Sequence, residues 1–190
     1  MNITLTHRFR LTAHDLHELL EDCYKLSTFC TRLEKQAALF PDRYDPDKYK
    51  GDGLELFTEA LIKLSPVDNR IGVGNYRVVE GQDTGVDGSG TGANGKPATV
   101  QVKYRSNGQA VLTANKDHLS NFVMSSILHE KVDPNDTMNM LIVTTAEGLH
   151  HFTDAEMFDK KVRCLGREQL RELVDNNQLF WDQFRQLCNG

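Results

Sequence analysis

Asp87, Gln101 and Lys103 are the residue types that metal-assisted phosphodiester hydrolysis needs. They stand in Gly85-Val86-Asp87-Gly88 and, after a glycine-rich turn, in Ala98-Thr99-Val100-Gln101-Val102-Lys103-Tyr104-Arg105. A carboxylate can hold a divalent cation and an amide oxygen can act as a second ligand. A lysine ammonium can orient an attacking water and balance charge developing at phosphorus. Side chains alternate between the two faces of a strand, so Gln101 and Lys103 point to one side with apolar Val102 between them. The pattern predicts a carboxylate at the end of one short strand facing a Gln-x-Lys on the next.

Helices and strands must hold these groups. Leu11, Leu16, Leu19, Leu20, Tyr24, Leu26, Phe29, Leu33, Ala37 and Leu39 recur mostly at three- and four-residue steps, which predicts helix over 11–40, as one piece or two. Thr12 with Asp15 forms its N-terminal cap, and Pro41 and Pro46 break the chain after it. A second helix is expected over 53–64, with Leu54, Phe57, Leu61 and Leu64 as its stripe; Glu55 and Glu59 share a face one turn apart. Strands are expected over 71–80, 86–89 and 99–104, then a turn at 106–109 and a helix over 115–130 capped by Asn115. The apolar run 138–145 reads as a strand buried on both faces. A strand at 162–165 and helices over 167–174 and 177–187 follow, with Phe180 and Trp181 either packing on the sheet or binding a partner. The order predicts a single α/β domain over 1–190, a mixed central sheet with helices on both faces.

Composition fits that expectation. Of 190 residues, 39% are hydrophobic and 26% charged, ordinary values for a globular domain able to bury a core. No apolar run approaches the ~20 residues of a membrane span, and the N-terminus lacks a secretory signal. Cys23, Cys30, Cys164 and Cys188 are scattered without zinc spacing and read as reduced thiols. A cytoplasmic location is expected. The net charge of −5 counts against a nucleic-acid partner. Yet residues 96–131 carry five basic against two acidic side chains, and this strip holds the Gln-Val-Lys strand. Lys96, Arg105, Lys116 and His118 are the candidate nucleic-acid contacts there, the last two near a helix N-terminus that can receive an anion.

Several shorter motifs compete for the same residues. Gly90 to Lys96 matches most of a phosphate-binding loop, but Pro97 replaces the required Ser/Thr and a strand, not a helix, follows. Asp83-Thr84-Gly85 spells the aspartic-protease triplet after a polar rather than an apolar segment. Asp83 to Asn94 fails as a calcium loop on ligand count. His150-His151 has a metal pair's look without a third ligand at suitable spacing. Taken singly, Asp87 is also a turn residue, Lys103 an edge lysine, and Glu55 with Glu59 a wet helix face. The conjunction is what points to a site.

That conjunction resembles the PD-(D/E)xK nuclease superfamily, the restriction-endonuclease-like fold, and within it the Mrr-like branch with Gln-x-Lys. The matching segments are Lys50-Gly51-Asp52-Gly53-Leu54-Glu55, Gly85-Val86-Asp87-Gly88 and Gln101-Val102-Lys103-Tyr104. They span a core over 50–145, with 1–45 as a helical accessory and 146–190 as a helical completion. The resemblance implies Mg²⁺, or Mn²⁺, held by Asp87, Glu55, Gln101 and the Val102 backbone carbonyl. Lys103 would orient the nucleophilic water. Glutamates of this kind lie near the start of their helix, which favours Glu55 over Glu59. Gln101 replaces a second carboxylate, so the site has one negative charge fewer and leans more on Glu55.

The function implied is a metal-dependent DNA endonuclease working by direct water attack. Two alternatives stand beside it: a non-catalytic nucleic-acid-binding or assembly module on the same fold, and a nuclease subunit active only with a helicase or DNA-recognition partner. Pairing of two chains as a homodimer is left open. No membrane partner is expected.

Overall fold

Helix α1 (Ala13–Leu20) opens with the capping box expected of Thr12 and Asp15, each side chain bonding the other's backbone N–H. The structure, a computed structural model, describes residues 3–5, 11–39, 41, 45–65, 68–79, 85–153, 157 and 159–189. The first helical stretch is two helices, because α1 stops at Leu20 and α2 (Leu26–Leu39) starts after a turn in which Asp22 has φ 47°.

Helix α3 (Pro46–Leu64) begins seven residues earlier than the apolar stripe alone predicts. Asp45 caps it by accepting from the Asp47 N–H at 2.9 Å, and Pro46 occupies the first turn, where its missing N–H costs nothing. The proline expected to break the chain starts a helix instead. Glu55 therefore lies in the middle of α3, not near its start.

The main sheet contains β1 (Val73–Val78), β2 (Gly88–Gly92), β3 (Pro97–Lys103), β5 (Met140–Thr144) and β7 (Arg163–Leu165), side by side in that order. The first three are antiparallel neighbours; β3, β5 and β7 run parallel, with Lys103 opposite Thr144. A small parallel pair, β4 (Val111–Leu112) with β6 (Gly148–Leu149), adds to the expected strands; two residues are too few to show a period in sequence. The glycine-rich segment is largely strand rather than turn. Gly88 lies beneath the Tyr76 ring so closely that a Cβ there would overlap the phenol. The reversal itself is confined to 93–96, closed by Gly92 N–H to the Lys96 carbonyl at 2.8 Å.

The sheet is buried on both faces, as the fully buried and largely apolar β5 requires. On one side Ala98, Val100, Val102, Leu141 and Val143 share a core with α1, α2, α3, α5 (Arg167–Val174) and α6 (Gln178–Asn189). Trp181, buried with Phe180 and Phe184, meets Phe29 and Phe57 at ring-centroid distances of 6.1 and 6.0 Å. These residues are core. On the other side Met140 and Ile142 meet Leu119, Phe122 and Val123 of α4 (Leu119–Leu128). That helix starts later than expected: His118, at φ 56°, precedes it, and Asn115 lies in the turns before it rather than at its cap. The four cysteines are free. Among the described residues no helix is long and apolar enough to cross a membrane.

Candidate active site

Asp87 immediately precedes β2 and is fixed by its own backbone. Its N–H donates to the Val100 carbonyl at 3.0 Å, and its carbonyl accepts from Val79 at 3.1 Å. Its side chain then reaches across to β3, where Oδ2 accepts the Val102 N–H at 2.6 Å. This bond is charge-assisted and short, and it holds the carboxylate beside the Gln-x-Lys segment.

The loop before Asp87 turns at Gly85, whose φ of +76° favours glycine. A side chain at Gly85 would also press on Gln101 Nε2 at 3.3 Å and on the Phe122 backbone N at 3.3 Å. Gly85 thus brings the Asp87 segment against Gln101 and the first turns of α4. Gln101 is 1% exposed, and its Oε1 has no hydrogen-bond donor among the described residues. A buried amide oxygen without a donor costs about 1–3 kcal/mol unless something else satisfies it.

Lys103 ends β3 and opens onto a groove of about 470 Å³. Asp47, Lys50 and Gly51 of α3 line one wall, and Tyr104, Arg105, Ser106 and Lys116 line the rest with Val102 and Lys103. Four of these side chains are cationic. Lys50 is held at 2.9 Å from Asp47 and 3.2 Å from the Ser106 hydroxyl, its ammonium 5.6 Å from the centre of the Tyr104 ring. Arg105 is clamped by buried Asp117 and by the Tyr104 carbonyl. Sequence reasoning missed Lys50 and Ser106; with α3 expected only from residue 53, Lys50 had no place in a helix beside the strand.

Glu55 and Glu59 belong to α3, on the opposite face of the sheet from Gln101 and α4. Tyr76 feels the charge of both Glu55 and Asp87. Burial first, and then the carboxylates of Asp87, Glu55 and Glu59, push this phenol well above its ordinary pKa. Glu59 is fully buried and salt-bridged to Lys63 at 2.6 Å, whereas Glu55 is half-buried. The structure thus joins Asp87 to β3 and, by way of Gly85, to Gln101, with Lys103 on the adjoining groove and Glu55 on α3 across the sheet.

The remaining candidates divide. Arg105 and Lys116 line the groove. Lys96 stands at the opposite end of β3, 3.4 Å from Asp133, and His118 is exposed before α4 outside the lining. The phosphate-loop lookalike is the β2–β3 hairpin. Asp83 lies outside the described residues. Among those residues no cluster of three His, Cys, Asp or Glu side chains could hold a metal. The donors at issue are a different set, two carboxylates, an amide oxygen and a backbone carbonyl. All are oxygens, as Mg²⁺ demands, and the unsatisfied Gln101 Oε1 is the observation that fits a cation.

Comparison with protein-family models, with curated proteins and with solved structures returns no match.

Proposed function

We propose that the chain is a Mg²⁺-dependent DNA endonuclease on a restriction-endonuclease-like fold, with Asp87, Gln101, Lys103 and Glu55 as its site. One observation carries the reading: the buried Gln101 Oε1, without a donor among the described residues, beside the segment that anchors the Asp87 carboxylate on β3. Asp87, Gln101 and the Val102 carbonyl would hold the cation directly, and Glu55, on α3 across the sheet, would reach it through a bridging water. When bound, the cation would polarise the phosphate and acidify a water. Asp87 contributes fixed negative charge, immobilised by the Val102 N–H before substrate arrives. Lys103, on the groove wall, orients the water and stabilises charge growing on the phosphate oxygens, an effect that preorganisation makes large. The four cations of the groove draw the phosphate backbone toward it despite the net charge of −5.

The test is purified protein with supercoiled plasmid in Mg²⁺, Mn²⁺ or EDTA, beside Asp87→Asn and Lys103→Ala. Metal-dependent nicking or linearisation, lost in both folded variants, is the expected result. Unchanged rates in either variant would overturn the site.

The single carboxylate on β2–β3, with Gln101 in place of a second, favours one other reading, a nucleic-acid-binding module without catalysis. It predicts DNA affinity indifferent to Mg²⁺ and to Asp87→Asn. A nuclease subunit that needs a helicase or recognition partner would instead cleave only once that partner is supplied.

A further inference from the structure

The His150-His151 pair is not a metal site among the described residues, but with Phe152 it forms a cluster of three tilted rings that reaches the surface. The rings of His150 and His151 lie 4.2 Å apart at 32°, and those of His151 and Phe152 4.0 Å apart at 47°. Phe152 is 64% exposed. Three successive rings lie tilted against one another, those of His151 and Phe152 exposed to solvent and that of His150 half-buried.

Their place in the fold gives them a use. Parallel β3 and β5 end side by side, so the segments that leave them emerge at one edge. One passes Lys103 and Arg105 into the groove; the other runs through β6 to the rings. The two are tied together. Arg105 N–H donates to Thr145 Oγ1 at 2.7 Å, and Asp117, which holds Arg105, accepts the Thr113 N–H at 2.7 Å. The adjacent Leu112 carbonyl accepts the His150 N–H at 2.8 Å and the Thr153 hydroxyl at 3.2 Å. One hydrogen-bonded frame therefore carries both the cationic groove wall and the ring cluster.

We infer that this edge binds single-stranded nucleic acid, the phosphates running past Lys50, Lys103 and Lys116 and the unpaired bases stacking on the His151–Phe152 step. The inference rests on the nuclease reading and names its substrate form. A cationic track beside aromatic platforms is the arrangement that holds single strands without sequence preference. A duplex keeps its bases stacked on one another and has none to offer Phe152. Lys50, its ammonium over the Tyr104 ring and fixed by Asp47 and Ser106, is the backbone contact that charge patterning alone did not reveal.

The test is fluorescence anisotropy in EDTA with the full chain, using a labelled single-stranded oligonucleotide and a hairpin duplex of the same sequence. Phe152→Ala, Phe152→Trp and Lys50→Ala/Lys116→Ala are compared with the wild type, each checked for fold by circular dichroism. The wild type is expected to prefer the single strand. Phe152→Ala should weaken it at least about fivefold, from the loss of one stacked base, with Phe152→Trp restoring it and the duplex unaffected. The double lysine variant should weaken both forms and flatten the salt dependence. Equal or tighter duplex binding, single-strand affinity indifferent to Phe152→Ala, or no binding of either form would overturn the inference. Cleavage in Mg²⁺ separates the two proposals. Duplex cutting insensitive to Phe152 sinks only the single-strand assignment. Phe152-dependent single-strand binding without cleavage under any metal sinks only the nuclease.

Discussion

The Asp87 carboxylate accepts the Val102 N–H at 2.6 Å, a side chain of one strand's lead-in bonded to the backbone of the next. Between antiparallel neighbours that donor would otherwise seek a carbonyl; here it orients an anion. Asp87→Asn keeps an acceptor for Val102 and removes the charge. Cleavage should fall at least ~100-fold, in line with the loss of one preorganised electrostatic group, while the thermal midpoint stays close to wild type. Plasmid cleavage with parallel calorimetry reads both; a variant that unfolds instead would show that the charge serves the fold.

Gln101→Leu separates metal binding from stability. Replacing a buried acceptor that lacks a donor among the described residues with an apolar group of similar size should change stability by no more than ~1 kcal/mol. The upward shift in melting temperature expected from Mg²⁺ or Mn²⁺ should disappear. If the Gln101→Leu variant still gains stability from Mn²⁺, Gln101 leaves the ligand set.

Gly88→Ala tests the contact beneath Tyr76. With no room for a Cβ, β2 or the ring must shift, at a cost of ~1–3 kcal/mol. Urea denaturation measures it, and Gly88→Ala/Tyr76→Leu should recover much of the loss. A fully stable single variant would mean that Tyr76 moves freely.

Asp117→Ala should cost ~1–3 kcal/mol, because it leaves the Thr113 N–H and the Arg105 guanidinium without their shared acceptor. In a double-mutant cycle with Arg105→Ala the two losses should be clearly non-additive. Additive losses would mean that Asp117 acts only as a turn cap.

The buried thiols set an alkaline limit. Burial raises Cys30 from 9.0 to about 11, and Cys164 and Cys188 to about 12. The folded state therefore holds these protons more tightly than the unfolded chain. The stabilisation is complete below pH 9 and is lost as pH rises through 11 toward 12. The urea midpoint should fall over that window, and less steeply in Cys30→Ala. A midpoint flat across it would contradict the burial of Cys30.

The sequence by itself determined the local elements and the residues worth suspecting. Apolar periodicity located α2 and α5, the nearly all-apolar run located β5, and Thr12 with Asp15 located the start of α1, because periodicity and capping act within a few residues of chain. The Gln-x-Lys alternation likewise predicted one face for Gln101 and Lys103. Tertiary structure decided what distant segments do to one another. Gly88 and Gly90 must be glycine within their strand because Tyr76 and the Gly74 backbone leave no room for a side chain, and Lys50 enters the groove because α3 packs beside the end of β3. The Asp87–Val102 bond, the Gly85–Gln101 contact and the joining of Arg105 to the ring cluster all bridge segments whose mutual approach is fixed by sheet pairing and packing. No spacing along a chain encodes those distances directly.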